Sequence, residues 1–207
     1  MYHLWQCPNP ACGFRFPAAD DAPGKERCIY CGTPTEQLQF PARPLVPARP
    51  SIPLPPVEVL LDNIRSLYNV GGIFRAADGA GVRHLHLCGI TGTPTHPKLA
   101  KTALGAQDNV PWSHHLNGVA VGRALKEQGY QLWALESSPT AEPLFATRLP
   151  LGGPPLLLIV GNEVTGVDPD LLALCDKVVF IPMQGIKESL NVTTAFGAAV
   201  YHLLYVR

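Results

Sequence analysis

Four of the six cysteines fall within the first 31 residues, as Cys7-x4-Cys12 and Cys28-x2-Cys31. Fifteen residues separate the two knuckles, and a glycine follows each, Gly13 and Gly32. Glycine there permits the tight turn that aims backbone amides at thiolate sulfur. Four thiolates suit tetrahedral zinc, with Zn–S near ~2.3 Å. A segment of about 35 residues buries too little to fold alone, so the metal would supply its stability. Two disulfides are a weaker reading, because the first residues carry neither a basic stretch nor a long apolar one and no signal peptide is expected, and a rubredoxin-type iron site also ranks below zinc. Residues 1–38 therefore read as a zinc-ribbon-like module. Its aromatics, Trp5, Phe14, Phe16 and Tyr30, serve first as its minimal core. Interleaved with Arg15, Lys25 and Arg27 they could also hold RNA. Cys88 and Cys175 stand alone in apolar surroundings and read as small buried hydrophobes.

The remaining polar chemistry sits in four loops, Asn63–Asn69, Glu136–Pro139, Gly161–Val167 and Met183–Asn191. Each follows an apolar run that reads as a strand. In a parallel sheet such loops share the carboxyl edge, where ligands bind. A nucleotide-binding reading fails. Gly79-Ala80-Gly81 is the one Gly-x-Gly, His84 stands where the third glycine belongs, and the motif precedes a strand instead of following it.

The elements that must position these loops alternate. Strands are expected at 57–61, 82–87, 130–135, 156–160 and 178–181, with a short extended piece at 110–112. Helices are expected at 69–78, 98–104, 119–129 and 169–174. A last helix begins near Ser189, with Val192, Phe196, Val200 and Leu203 at helical spacing. Asn69 and Ser189 read as N-caps. The best strands are almost wholly apolar, the mark of a parallel sheet covered by helices on both faces. Between the module and this α/β domain, residues 39–56 carry a proline at every third position from Pro41 to Pro56. That period suits a polyproline II rod, a semi-rigid spacer. The α/β domain then covers 57–207.

At 46% hydrophobic and 15% charged residues the chain is globular, and no apolar run approaches the roughly 20 residues that span a bilayer. No membrane partner is expected, and the default compartment is cytoplasmic. Zero net charge argues against coating nucleic acid by electrostatics alone, though Arg65, Lys98, Lys101 and Lys187 could form a local phosphate-binding patch.

Three stretches together resemble the motifs of the SpoU (TrmH-like) RNA ribose methyltransferases, in the family's order and spacing: 69–78 (NVGGIFRAAD), 161–167 (GNEVTGV), and 181–185 with 189–192 (IPMQG, SLNV). Gly72 and Thr193 depart from the pattern, standing where members often carry alanine and serine. The resemblance spans about 57–207 and implies a SPOUT fold with a C-terminal trefoil knot. It also implies S-adenosylmethionine as methyl donor, a homodimer, and a ribose 2′-hydroxyl of tRNA or rRNA as acceptor. By motif match, Arg75 is the catalytic arginine, and Asn69, Glu163, Ser189 and Asn191 are its companions, with Glu163 pairing with or positioning Arg75. Leu135, Gly161, Ile181 and Leu190 would hold the adenosyl group. The alternative is a non-catalytic RNA-binding or assembly factor built on an inactive fold of this type. Retention of Arg75, Glu163 and Asn191 argues against it.

Overall fold

The computed structural model describes residues 1–39 and 55–206, which fall into two compact units. The expected proline rod, with Arg43 and Arg49, lies almost wholly outside the described residues.

The N-terminal unit is a three-stranded antiparallel sheet of β1 (Tyr2–Gln6), β2 (Arg15–Ala19) and β3 (Glu36–Gln37), ordered β2-β1-β3. Its fully buried residues are Cys7, Ala18 and Cys28. Phe14 stacks on Phe16 at 5.2 Å and meets the edge of Tyr30 at 4.7 Å. Tyr30 stays exposed. The aromatics thus form a small half-covered cluster, not a closed core.

The second unit carries β4 (Val57–Asp62), β5 (His84–Cys88), β6 (Trp112–His115), β7 (Gln131–Leu135), β8 (Glu142–Pro143), β9 (Leu156–Val160) and β10 (Lys177–Phe180). Every pairing is parallel, in the order β6-β5-β4-β9-β7-β10-β8. The helices are α1 (Leu67–Ala80), α2 (Pro97–Ala103), α3 (Ala106–Asn109), α4 (Gly118–Glu127), α5 (Pro169–Leu174) and α6 (Val192–Tyr205). None of the described helices is long and apolar enough to cross a membrane.

Alternation along each strand sorts side chains onto two faces. Val57, Val59 and Leu61 pack with α1, α2 and α6 in the larger core, around Phe74 and Phe196. Leu60, Leu157 and Ile159 pack with Leu125 of α4 and Leu171 of α5 on the other face. That second apolar cluster ends at Leu60 and Cys88. Beyond it stands a polar network absent from the sequence reading. His86 Nε2 meets Glu58 Oε2 at 2.8 Å, Tyr130 donates to Glu58 Oε1 at 2.8 Å, and Ser113 Oγ joins His84 and His115 at 2.8 and 2.7 Å. Burial pushes the His84 and His115 pKa values down.

Two caps differ from expectation. Ser66, not Asn69, caps α1, its Oγ accepting from Asn69 N at 3.4 Å. Asn191, not Ser189, caps α6, its Oδ1 accepting from Thr193 N and Thr194 N. In each case the true cap lies two or three residues from the expected one, and both candidates belong to types that cap well. Gly79 lies inside α1. Gly81, at φ +83°, ends the helix, because the left-handed conformation there is open to glycine without strain.

Helices α1 and α6 meet closely at Gly72. A β-carbon there would stand 2.6 Å from Thr193 Cγ2. The threonine cannot simply rotate away, since its Oγ1 donates to Asn69 O at 3.1 Å. The two departures from the motif pattern therefore compensate: one residue lacks a methyl where the other adds one. Gly72→Ala should lower stability by about 1–2 kcal/mol, overpacking outweighing the gain in helix propensity. Adding Thr193→Ser should restore most of it. Urea melts of the two single variants and the double variant measure the coupling. A Gly72→Ala protein as stable as its parent would disprove the compensation.

Candidate functional site

The loops after β7, β9 and β10, with Asn69 of α1, enclose a cavity of about 600 Å³ at the carboxyl edge of the sheet. The backbone of the loop after β9 is set by Asn162. Its N–H and C=O exchange bonds with Gly166 at 3.0 Å, and its Oδ1 accepts from Val164 N and Thr165 N. A β-carbon on Gly161 would meet the backbone of Gly166 and Val167, so only glycine lets this turn fold back on its strand. Asn162 Nδ2 also donates to Asn63 O at 2.6 Å, fastening the turn to the end of β4.

Glu163 sits at the N-terminus of α1. Its carboxylate accepts from Arg65 N at 2.9 Å, Ser66 N at 3.1 Å and Asn69 Nδ2 at 2.9 Å. Free N–H groups and the helix dipole favour a negative charge there. Partial burial pushes its pKa up, but the bonds from Arg65 N, Asn69 and Ser66 N outweigh burial and hold it below the ordinary value. Asn69 then passes the connection on: its Oδ1 accepts from Asn191 Nδ2 at 3.1 Å, beside Thr193 Oγ1 at 3.5 Å. One hydrogen-bonded chain, Glu163–Asn69–Asn191, thus ties together the three stretches singled out in the sequence.

Of the expected residues, Asn69, Glu163, Ser189 and Asn191 line the cavity, as do Leu135, Gly161, Ile181 and Leu190. Arg75 does not. It is exposed on α1, six residues beyond Asn69 and so about 9 Å further along a helix that runs away from the carboxyl edge. Of the two expected roles for Glu163, direct pairing with Arg75 is not the one seen within the chain: backbone amides and Asn69 occupy the carboxylate. Sequence reasoning also missed Glu136, whose carboxylate lines the cavity, and Thr193, which braces Asn69. The only signal for Glu136 was its place in a polar loop directly after a strand.

The cavity wall joins apolar Leu135, Val160, Phe180, Ile181 and Leu190 to three acidic residues, Glu136, Glu163 and Glu188, and among the described residues no lysine, arginine or histidine lines it. Such a wall suits a flat apolar ring and a cationic group, and disfavours a phosphate. A second concavity, of about 440 Å³, lies between Asp62, Asn117, Arg123 and Asp168 and holds none of the expected residues.

In the N-terminal unit the Sγ atoms of Cys7, Cys12, Cys28 and Cys31 lie within 4.8 Å of one another, and all four thiols are free. Cys7 and Cys31 are 3.4 Å apart, Cys12 and Cys28 3.6 Å. A tetrahedral ion with ~2.3 Å bonds to sulfur sets its ligands about 3.8 Å apart, so the quartet fits.

A family model described as the SpoU rRNA Methylase family matches residues 56–201. A 23S rRNA (guanosine-2′-O-)-methyltransferase, RlmB, of Ralstonia nicotianae is 31% identical over 153 residues, 74% of this chain and 60% of that protein. A tRNA (guanosine(18)-2′-O)-methyltransferase of Aquifex aeolicus is 31% identical over 150 residues, 69% of this chain and 66% of that protein. The chain thus matches about 60–66% of the length of these curated relatives. Among solved structures, an AdoMet-bound rRNA methyltransferase from Sinorhizobium meliloti superposes with a TM-score of 0.65 at 26% identity, covering 70% of this chain and 54% of that one.

Proposed function

The chain belongs to the SpoU rRNA Methylase family, and from that premise we propose that it methylates a ribose 2′-hydroxyl of tRNA or rRNA with S-adenosylmethionine. The observation that carries this reading is the Glu163–Asn69–Asn191 chain, which gathers three separate motifs around one cavity.

The cavity's chemistry fits the donor. Leu135, Gly161, Ile181 and Leu190 would hold the adenosyl group, and a cation-free wall with three glutamates tolerates a sulfonium. When bound, S-adenosylmethionine supplies an electrophilic methyl group. In the transfer an O–C bond forms at the 2′-oxygen, an S–C bond breaks to leave a neutral thioether, and the hydroxyl proton passes to solvent. The chain's own task is to align and activate the hydroxyl. Ser189 and Asn191 offer polar contacts at the cavity mouth. Asn69, braced by Glu163, holds Asn191 in place. Arg75 clamps the neighbouring phosphate and stabilises developing alkoxide charge, since a guanidinium offers donors and no acceptor and is no general base.

Arg75 stands off its own cavity, and among the described residues no cation lines that cavity. We propose that the working form is a homodimer in which Arg75 of one copy completes the cavity of the other. The exposed, stacked rings of Tyr201 and Tyr205 on α6, and the open space over Gly197, support a packing face near α1. We also propose that the chain between β10 and α6 forms the trefoil knot of the SPOUT fold. It shares a cavity with the loops after β7 and β9, and its helix then returns to pack on α1. The cysteine quartet holds zinc, and the ribbon and the proline-rich segment after it extend the RNA footprint. An RNA substrate makes the cytoplasm the expected place of action.

Incubating the full chain with S-[methyl-³H]adenosylmethionine and total RNA tests the core of this reading. Label should enter RNA and survive in alkali-resistant dinucleotides, as a 2′-O-methyl requires. Label absent from RNA, or released in base-methylated nucleosides, would overturn it.

A further inference from the structure

Resting on the reading of this cavity as the donor site, we infer that Glu136 recognises the ribose diol of the adenosyl group and so decides which ligands the cavity accepts. Glu136 follows directly on Leu135, at the carboxyl end of β7, and is half-buried in the cavity wall. Its carboxylate is fixed on both sides. Oε1 accepts from Ser137 N at 2.8 Å and Oε2 from Val167 N at 3.1 Å. Gly166, at φ +73°, lies so close that a β-carbon there would meet Oε2.

A carboxylate has about four acceptor positions. Two are taken by backbone N–H groups, which leaves about two for a ligand. A pre-set carboxylate with neighbouring acceptor positions free matches a vicinal diol, whose two O–H donors are about as far apart as the two carboxylate oxygens. The same pairing of a strand-end acid with a ribose recurs in dinucleotide-binding sheets. The surroundings narrow the choice. Among the described residues no cation lines the wall to receive a phosphate, and Leu135 and Ile181 provide the apolar surface that the attached base needs. Glu163, by contrast, is filled by three protein donors, and Glu188 is exposed at the rim.

Calorimetry on the full chain with three probes tests this: S-adenosylmethionine, its 3′-deoxy form, and 5′-methylthioadenosine, which keeps the ribose but lacks the amino acid. The unmodified chain should bind the 3′-deoxy form about tenfold or more weakly, the usual cost of losing a bond to a charged group. Glu136→Gln should lose a similar factor for S-adenosylmethionine and for 5′-methylthioadenosine, and should no longer distinguish the 3′-deoxy form. If Glu136→Gln weakens S-adenosylmethionine but leaves 5′-methylthioadenosine unchanged, the carboxylate faces the ligand's ammonium and the inference falls. If it weakens the 3′-deoxy form as much as its parent, Glu136 only braces the Gly166 turn, and the inference falls too. The comparison on the unmodified chain stands even if the variant folds poorly. Failure of the unmodified chain to bind S-adenosylmethionine at all would instead sink the proposed function.

Discussion

Arg75→Ala is expected to lower kcat for RNA methylation by about 10³-fold while leaving the Kd for S-adenosylmethionine within about twofold. The first figure is the usual cost of removing a donor aimed at developing oxyanion charge. The second follows from position, because Arg75 is exposed on α1 and takes no part in the cavity wall of its own chain. Single-turnover methyl transfer and calorimetry measure the two quantities. Equal loss of both would show that Arg75 supports the donor site and not the reaction.

The same variant tests whether the arginine acts across a dimer. Asn191→Ala breaks the cavity chain at the cap of α6, with a stability cost of about 1 kcal/mol that leaves the fold intact. Each variant alone should be nearly inactive. Mixed in equal amounts and allowed to exchange subunits, half of the dimers carry one of each. In such a hybrid the cavity of the Arg75→Ala chain is whole and receives Arg75 from its partner, so activity should return to about a quarter of the parent level. If Arg75 served its own cavity, no mixture would recover activity.

Much of the fold was legible in the sequence because the strands are fully buried. An all-apolar run such as Leu156–Val160 between a proline pair and Gly161 has one reading, and β9 and α5 fall within the expected limits. What failed was local choice between equals. Asn69 and Ser66 are both good caps. Glu163, 94 residues away, takes the Asn69 side chain and leaves the cap to Ser66. Ser189 yields to Asn191 for the same kind of reason, since Asn191 is also held by Asn69. The site was legible only as a resemblance of three motifs. The parallel sheet already requires α1 to run away from the carboxyl edge, which carries Arg75 off; the motif match, which places Arg75 with Asn69, Glu163 and Asn191, ignores that direction. Glu136 was hidden because a carboxylate in a loop has no visible partner until the turn at Gly166 and Val167 folds against it, and the His84–His86–His115 network because its residues meet only when β5 pairs with β6.

With the cysteine quartet holding zinc as proposed, removing the ion should unfold the N-terminal unit and leave the second unit unchanged. Among its described residues only Cys7, Ala18 and Cys28 are buried apart from solvent, and two of these are ligands in the expected set. Three strands of five, five and two residues cannot offset the entropy of ordering such a segment. A structural zinc site contributes about 10–16 kcal/mol near neutral pH, enough to decide the fold outright. A strong chelator, or Cys28→Ser, should therefore collapse the backbone amide signals of residues 1–39 into the random-coil region. Signals from 57–206 should stay in place, because the parallel sheet has its own two apolar clusters. Donor affinity should be unchanged, and RNA affinity should fall if the ribbon extends the footprint. Persistence of dispersed N-terminal signals after the metal has gone, with a colorimetric assay confirming its release, would mean that Phe14, Phe16, Trp5 and Tyr30 hold the unit by themselves. Their half-exposed packing makes that outcome the one to be excluded first, because rings open to water on one side recover only part of the burial energy of a closed core.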